Sequence, residues 1–425
     1  MADRRVMILV ISLAVLLSGA FLAFPTEADA PSGPDQVIDA LSVSGHVRGD
    51  LNGDGEVSSK DPIYLICHVV SPSHYPLDQD ADFDSDGDVT IRDAFYLALS
   101  ILDPYSYPLT EEDSPYPEGI WFDPGACELR SPVPTVWTVT DELEKYVDKE
   151  VRTYKGKSLE LEPGWYTVSV NGDTFQIMVD GVEQRTVQWE YWSEGMVHSI
   201  QITYDIRISD LVEASKGNRE WNDGSDHLFK DLPRIVVTDP TTESIVSQLG
   251  ERFAEIGGDA DDRQSFADFV SSFVQNGIRY PSRIGSNGST DYEVWGSNEY
   301  WSLPLETLYY CIGDCEDSSA LACALLKSAG YQVAMVGVSG HVVAGVSLDS
   351  FVPVDEDGFT SYNPVFGSFV EASGSSIVEG DDTGIIYYGL ETTKGQTPVG
   401  YLLRGTANNL GKPTLYWGTA GFYPA

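Results

Sequence analysis

Basic residues are scarce in this 425-residue chain. It has 25 lysines and arginines but 66 aspartates and glutamates, which gives a formal net charge of −41. Proteins that bind nucleic acid through its phosphates carry a basic surface, so the composition argues against a nucleic-acid partner. Long apolar runs are scarce too, because only residues 6–24 are apolar over a length that could cross a bilayer.

The first thirty residues have the pattern of an export signal. Arg4 and Arg5 precede the apolar run, and the small residues of Ala28-Asp29-Ala30 follow it as a cleavage site. The run is longer than the apolar core of most signals, so an uncleaved N-terminal anchor is the alternative interpretation. Both interpretations predict a secreted or cell-surface protein that meets the membrane only through this segment.

Cysteine is rare as well, and five cysteines are an odd number for an exported chain. This count excludes a dense disulfide scaffold and leaves at least one thiol free or paired between molecules. Three of the five, Cys311, Cys315 and Cys323, lie in the single stretch YYCIGDCEDSSALACALLKSAGY. The sequence therefore favours a functional, reactive thiol in this stretch.

Two acidic twelve-residue loops, DLNGDGEVSSKD at 50–61 and DFDSDGDVTIRD at 82–93, repeat with a period of 32 residues. Each has oxygen side chains at loop positions 1, 3, 5, 9 and 12, a glycine at the sharp turn, and a residue at position 7 that offers its backbone carbonyl. A hard cation needs about six oxygens at once, so the loops predict two bound calcium ions. The predicted ligands are Asp50, Asn52, Asp54, Glu56, Ser58 and Asp61, then Asp82, Asp84, Asp86, Asp88, Thr90 and Asp93.

An apolar helical pattern follows each loop, and residues 46–104 as a whole resemble a dockerin domain. The resemblance implies a small module that folds on calcium and binds a cohesin domain on a scaffold or cell surface. It also implies that loop positions 10 and 11 choose the partner. These are Ser59-Lys60 in one loop and Ile91-Arg92 in the other, so the two halves are not equivalent.

Further along the chain, residues 105–120 are rich in proline, serine, tyrosine and acid and predict a linker. Residues 121–187 predict a β-rich module with a hairpin turn at Asn171-Gly172, which we interpret as a spacer or interaction module. The final domain, residues 188–425, contains two helices with core-facing stripes. These stripes are Ile245, Leu249 and Phe253, then Phe266, Phe269, Val270, Phe273 and Val274.

Cys315 is predicted to begin a helix that ends at Gly330. The unpaired amides and the dipole of a helix N-terminus lower the pKa of a thiol there, whereas Cys311 and Cys323 are predicted to be structural. A thiolate nucleophile also needs a proton donor for its leaving group, and His341, in VSGHVVAGVSL, is the one downstream histidine.

The stretch GDCEDSSALACALLKSAGY is similar to the GDCED signature of the transglutaminase-like cysteine peptidase superfamily. The segments FVQNGIRY and EYWSLPLETL before it, and GHVVAGV and IIYYGLETTKGQTPVGYL after it, resemble those of prokaryotic members. The resemblance implies a papain-like α+β fold in which Cys315 is the nucleophile, His341 the general base and acid, and Glu391 the acid that orients His341. The family usually has Asp-x-Thr where this chain has Glu391-Thr392-Thr393. Asp355, in FVPVDEDG, is the alternative acid, because 50 residues separate His341 from Glu391.

Three acids around the cysteine, Asp314, Glu316 and Asp317, are interpreted as helix caps or scaffold residues. The backbone N–H of Cys315 is expected to help stabilise an oxyanion. Trp301 is interpreted either as a residue that shapes this site or as a packed aromatic. No metal-ligand spacing is visible in residues 188–425, so no cofactor is expected for catalysis.

The sequence therefore predicts a multidomain protein: a small α-helical calcium-loop (dockerin) module, a small β module and an α+β papain-like, transglutaminase-like domain. The predicted activity is that of an exported cysteine peptidase or amidase with a protein or peptide substrate, tethered to a cohesin-bearing protein. Two alternatives stay open. One is a transglutaminase that cross-links proteins, and the other is a non-catalytic subunit of a cohesin–dockerin assembly of the polysaccharide-degrading type.

Overall fold

The structure is a computed structural model. It describes residues 49–52, 57–72, 74–77, 81–83, 88–102, 107, 109, 116, 117, 119–123, 126–193, 195–223, 227–286, 288–355, 369–371, 373–378, 381–395, 397–410 and 421–425. The chain divides into two compact units, Met1–Ala98 and Leu99–Ala425. Among the described residues, no helix has both the length and the apolar character needed to span a bilayer. The predicted export segment lies outside those residues.

In the first unit, a helix follows each acidic loop, as the apolar patterns predict. Helix α1 is Lys60–Val70 and helix α2, which continues past the boundary of the unit, is Ile91–Leu102. An aspartate lies in the first turn of each helix, Asp61 and Asp93. The positive end of the helix dipole stabilises a negative charge there. Leu65 is fully buried on the inner face of α1.

The second unit begins with an antiparallel sheet in the order β1-β2-β4-β5, with β3 paired to β2. The predicted turn joins β4 to β5, and Asn171 and Gly172 have the positive φ values, 54° and 99°, of a type I′ turn. A short 3₁₀ helix, Tyr146–Asp148, lies between β2 and β3. The strands are β1 Trp121–Asp123, β2 Glu128–Asp141, β3 Val151–Glu160, β4 Gly164–Val170 and β5 Asp173–Val179.

A long hairpin and six helices come next. Strand β6 crosses the domain boundary predicted at residue 187, because its alternating pattern continues without a break. The core stripes predicted on α4 and α5 are confirmed as buried. These elements are β6 Val182–Ser193, β7 Met196–Arg207, α3 Ile208–Asn222, α4 Pro240–Glu255, α5 Arg263–Gly277, α6 Tyr292–Trp295, α7 Pro304–Tyr310 and α8 Cys315–Ser328.

A second sheet completes the unit and packs against α8. Among the described residues its order is β10-β13-β12-β9-β8-β14, with β11 paired to β12. Strands β8 and β9 form an antiparallel hairpin whose inner side chains meet the buried face of α8. The elements are β8 Val333–Val338, β9 His341–Val346, β10 Phe369–Glu371, β11 Ser373–Val378, β12 Asp381–Leu390, β13 Tyr401–Leu403, α9 Arg404–Ala407 and β14 Gly421–Pro424. The protein is thus a mixed α and β protein with several sheets.

The β module predicted as a spacer shares a core with the helices that follow it. Leu143 and Trp165 are buried in the same apolar cluster as α8 and the β6–β7 hairpin. The Arg219 guanidinium stacks 4.7 Å from the centre of the Trp165 ring and donates to the carbonyl of Glu142. The β module is therefore not packed separately from the residues that follow it, because these side chains bury apolar surface across the predicted boundary.

Candidate active site

Cys315 is the first residue of α8, as predicted. The strand-like segment before it is fixed by a parallel bridge between Arg279 and Ile312, and the N–H of Gly313 donates to the Arg279 carbonyl at 3.2 Å. The Cys315 thiol donates to Glu316 Oε2 at 2.9 Å. The sulfur is therefore held at the N-terminus of a helix whose interior is fully buried.

His341 is the first residue of β9, and its Nε2 lies 3.1 Å and 3.2 Å from the two carboxylate oxygens of Glu391. Glu391 is fully buried directly after β12. Its Oε1 accepts the backbone N–H of Thr393 at 3.1 Å and the Thr393 hydroxyl at 2.7 Å. Burial raises the pKa of Glu391, but the hydrogen bond and charge of His341 and the bonds from Thr393 outweigh it, so the pKa lies below its ordinary value.

Of the two acids considered from the sequence, Glu391 is the one that bonds to His341. Strand β12 pairs with β9 in a register that sets Leu390 opposite Ala344, so the chain leaves β12 beside the start of β9. Asp355 is exposed. The 50-residue separation that favoured Asp355 is spanned by the strands of the second sheet.

Ser319 joins the three chain segments that carry Cys315, His341 and Glu391. It is fully buried one turn into α8. Its hydroxyl donates to the carbonyl of Val342 at 3.3 Å and bonds to the hydroxyl of Thr392 at 3.0 Å. The residues bonded to Ser319 are the immediate neighbours of His341 and Glu391.

Cys315 and His341 line one cavity of about 300 Å³. Val342, the residue after His341, also lines this cavity, and its backbone N–H lowers the pKa of the Cys315 thiol. With Nε2 bonded to Glu391, the Nδ1 atom of His341 is the ring nitrogen left for the cavity. Several acids complete the lining, namely Asp291, Glu299, Asp314 and Glu316.

The expectation of an acidic thiol is wrong for this structure. Burial raises the pKa of the Cys315 thiol well above its ordinary value, and the neighbouring carboxyls of Glu316 and Asp314 raise it further. The bond from the Val342 N–H acts in the opposite direction but does not offset them. The sequence argument counted the helix dipole and left out desolvation and like charge, both of which raise the pKa of this thiol.

The acids around Cys315 form a cluster that was not predicted from the sequence. Ligand atoms of Asp291, Asp314 and Asp317, and likewise of Asp291, Glu299 and Glu316, lie within 4.8 Å of one another. Burial, followed by the charge of Asp314, raises the pKa values of Asp291 and Asp317 well above their ordinary range. These oxygens could hold a cation.

The three acids interpreted as caps or scaffold residues take different roles. Asp314 does not cap α8 with its side chain; its Oδ2 accepts the Thr290 hydroxyl at 2.6 Å, and its Oδ1 is buried without a hydrogen-bond partner in the described part of the chain. Asp317 is a scaffold residue, because it accepts the N–H and hydroxyl of Ser302 at 2.7 Å and 3.0 Å. Glu316 contacts the thiol itself.

Three other side chains considered for chemistry are packed. Trp301 is 3% exposed, donates its indole N–H to Glu299 at 2.9 Å and also lines the Cys315 cavity, so both interpretations of it describe part of its role. Cys323 is fully buried, and burial raises its pKa to about 12. Cys311 donates to the Leu308 carbonyl at 3.4 Å.

The two acidic loops have the same closing geometry. Asp61 Oδ1 accepts the Leu51 N–H at 2.9 Å and its Oδ2 accepts the Ser58 N–H at 2.8 Å. Asp93 makes the matching bonds to Phe83 at 2.7 Å and to Thr90 at 2.8 Å. Each loop is thus closed by a fully buried carboxylate at position 12. Asp54, Glu56, Asp84 and Asp86 lie outside the described residues.

Comparisons of the chain with protein-family models, with curated proteins and with solved structures found no match.

Proposed function

We propose that the second unit is a cysteine-dependent acyl-transfer enzyme of papain-like, transglutaminase-like type, with Cys315, His341 and Glu391 as its catalytic residues. The observation that carries this proposal is the His341–Glu391 pair at 3.1 Å, whose histidine shares a cavity with a helix-start cysteine. A buried acid bonded to one imidazole nitrogen fixes the orientation of the ring, holds the proton of the neutral imidazole on that nitrogen, and leaves the other nitrogen free to accept a proton. Side chains that converge in this way support nucleophilic catalysis.

The raised pKa of Cys315 determines how the first step begins. The resting thiol is neutral, so His341 acts as a general base and accepts the thiol proton while sulfur attacks the acyl carbon. His341 then gives that proton to the leaving amine, and a thioester is left on Cys315. The N–H groups at the start of α8 stabilise the oxyanion.

The acceptor that ends the cycle decides the class of enzyme. Water gives a peptidase or amidase, which is the activity we propose first. A primary amine would give a cross-linking transglutaminase. The lining of the cavity supports this second candidate, because the carboxyl oxygens of Asp291, Glu299 and Glu316 could accept hydrogen bonds from a lysine ammonium group.

We further propose that the first unit is a dockerin that binds two calcium ions and attaches the exported enzyme to a cohesin domain. The repeated closure of both loops by Asp61 and Asp93 supports this assignment. Asp50, Asn52 and Ser58, then Asp82, Asp88 and Thr90, are the other described residues that would hold the ions. On this proposal calcium stabilises the unit, and the reaction chemistry stays with the second unit. The alternative of a non-catalytic assembly subunit predicts cohesin binding without any reactive cysteine.

The test of the enzyme is reaction of the purified chain with a thiol-directed peptide probe, followed by mapping of the labelled residue. We expect labelling at Cys315, its loss in Cys315→Ala, and its survival in the matched variant Cys311→Ala. Cys323→Ala should also keep labelling, provided that circular dichroism shows a folded protein. Labelling of any other cysteine, or equal loss in Cys315→Ala and Cys311→Ala, would refute the assignment.

A further inference from the structure

One wall of the Cys315 cavity is a segment that contacts the β module. Residues 288–299, the wall segment, contribute Thr290, Asp291 and Glu299 to the cavity lining. The wall segment bonds to the start of α8 through the Thr290 hydroxyl, which donates to Asp314 at 2.6 Å. Asp314 directly precedes Cys315, so a shift of the wall segment changes the surroundings of the sulfur.

The outer side of the wall segment packs on the 3₁₀ helix of the β module. The Tyr146 ring meets the Tyr292 ring edge to face, with centres 5.4 Å apart. Asp148 forms an ion pair of 3.3 Å with Arg283, just before the wall segment. Gly296 has a φ of +67°, and a Cβ built on it would lie 2.4 Å from the Tyr146 ring. Only a glycine lets the chain turn this closely over the ring.

We propose that Tyr146 is a positioning residue for the reaction at Cys315, and that the β module is therefore part of the catalytic unit. The connection runs from Tyr146 to Tyr292 and Gly296, then through Thr290 to Asp314 beside the nucleophile. This inference rests on the proposed function. It extends that function to a region outside the cavity, since Tyr146 does not line it.

Tyr146 is suited to a test because its ring is half exposed and lies outside the buried core. The variants are Tyr146→Ala, the conservative Tyr146→Phe, and Tyr154→Ala as a matched control. Tyr154 belongs to the same β module, is 44% exposed, and lies on β3 away from the wall segment. Thermal denaturation of each full-length variant records any change in stability.

The first measurement is the rate at which a thiol-directed peptide probe labels Cys315, separated into probe affinity and maximal rate. Tyr146→Ala should lower the ratio of maximal rate to affinity constant about tenfold, because small displacements around a reacting group are costly. Tyr146→Phe should restore it, and Tyr154→Ala should match the wild type. The proposal would be overturned if Cys315 were labelled at the wild-type rate in Tyr146→Ala, or if the rate fell equally in both alanine variants.

The second measurement separates failure of this inference from failure of the proposed function. If the peptide probe does not label the wild type while iodoacetamide alkylates Cys315, the proposed function fails. Amide hydrogen exchange of residues 288–299 then tests the inference by itself. Faster exchange in Tyr146→Ala than in Tyr154→Ala supports the role of Tyr146, and identical exchange overturns it.

Discussion

The two acidic regions of this protein place their carboxylates in opposite ways. In the loops of the first unit, the acids come from twelve consecutive residues, and one aspartate per loop is buried with its oxygens bonded to amides. Around Cys315, the acids come from separate segments, all but Glu299 are buried, and they raise one another's pKa values. Local spacing is visible in a sequence, whereas a cluster built by folding is not. On our proposal the same residue type holds a cation in one region, and in the other it raises the pKa of a thiol.

The largest effect should come from calcium removal, which distinguishes the two regions directly. Chelation leaves the carboxylates of both loops without a counter-ion, so we expect complete loss of the helical signal of α1 and α2. Labelling of Cys315 should persist. Circular dichroism and peptide-probe labelling of the same sample test both halves.

Labelling that disappeared with calcium and returned with it would contradict this division. The acidic cluster around Cys315 would then behave like the loops. A variant that disables only the loops, Asp61→Ala with Asp93→Ala, is the control. It should lose the helices of the first unit and keep labelling of Cys315.

The second prediction compares a buried acid with an exposed one in the catalytic unit. Glu391→Gln should lower turnover by on the order of 10³-fold or more. The amide of glutamine can stabilise the imidazole tautomer that has no free nitrogen to accept the thiol proton. Asp355→Asn should change it less than about twofold, since surface substitutions are usually mild. Steady-state peptidase kinetics measure both. The reverse ranking would move the orienting role to Asp355.

The third prediction concerns the acid that touches the thiol. Glu316→Gln removes a carboxyl group that raises the pKa of Cys315, so alkylation by iodoacetamide at neutral pH should accelerate about tenfold, the effect of one pKa unit on the thiolate fraction. The matched control is Glu243→Gln, at an exposed position in the first turn of α4. An unchanged or slower rate in Glu316→Gln would show that burial alone governs the thiol.

The smallest expected effect is a pH dependence of stability. Asp291, Glu316 and Asp317 have raised pKa values in the folded state, so their contribution to stability is lost as pH rises through those values. Acidification from about pH 7.5 to about pH 5.5 should therefore raise the melting temperature of the second unit by a few degrees. The lowered pKa of Glu391 costs stability only at more acidic pH.

Calorimetry of the calcium-loaded chain at the two pH values measures this shift. Protons compete with calcium for carboxylates, so the first unit should not gain stability on acidification. Asp291→Asn should flatten the response of the second unit. If acidification lowered the melting temperature of the second unit, its buried acids would be charged and stabilised by the groups around them.

Much of the local structure could be predicted from the sequence because the signal is itself local. The Asn171-Gly172 turn, the stripe from Phe266 to Val274 and the helix that begins at Cys315 each depend on a few neighbouring residues. The His341–Glu391 contact was predicted from a resemblance, with Asp355 as a rival that spacing could not exclude. The sheet register that carries residue 391 back to β9 is a property of the whole fold.

What the sequence did not reveal depends on burial and on distant segments. The thiol pKa was predicted in the wrong direction, because the helix-end field is a local property and the desolvation of Cys315 is not. The acidic cluster joins residues 291 and 299 to residues 314–317, and no spacing rule links these positions. The packing of Trp165 and Leu143 into the main core was missed because Trp165 lies on β4 and Leu143 follows β2, and both strands look like those of an independent sheet.

The hydroxyl of Ser319 has a consequence for how the proposed catalytic residues fluctuate together. Its two hydrogen bonds reach the neighbours of His341 and Glu391 from within the helix of Cys315. A single hydrogen bond contributes only about 1 kcal/mol, which is too little to determine the fold. A shared atom nevertheless makes the thermal displacements of three segments correlated. The distances among the reacting groups then vary less than the position of any one of them.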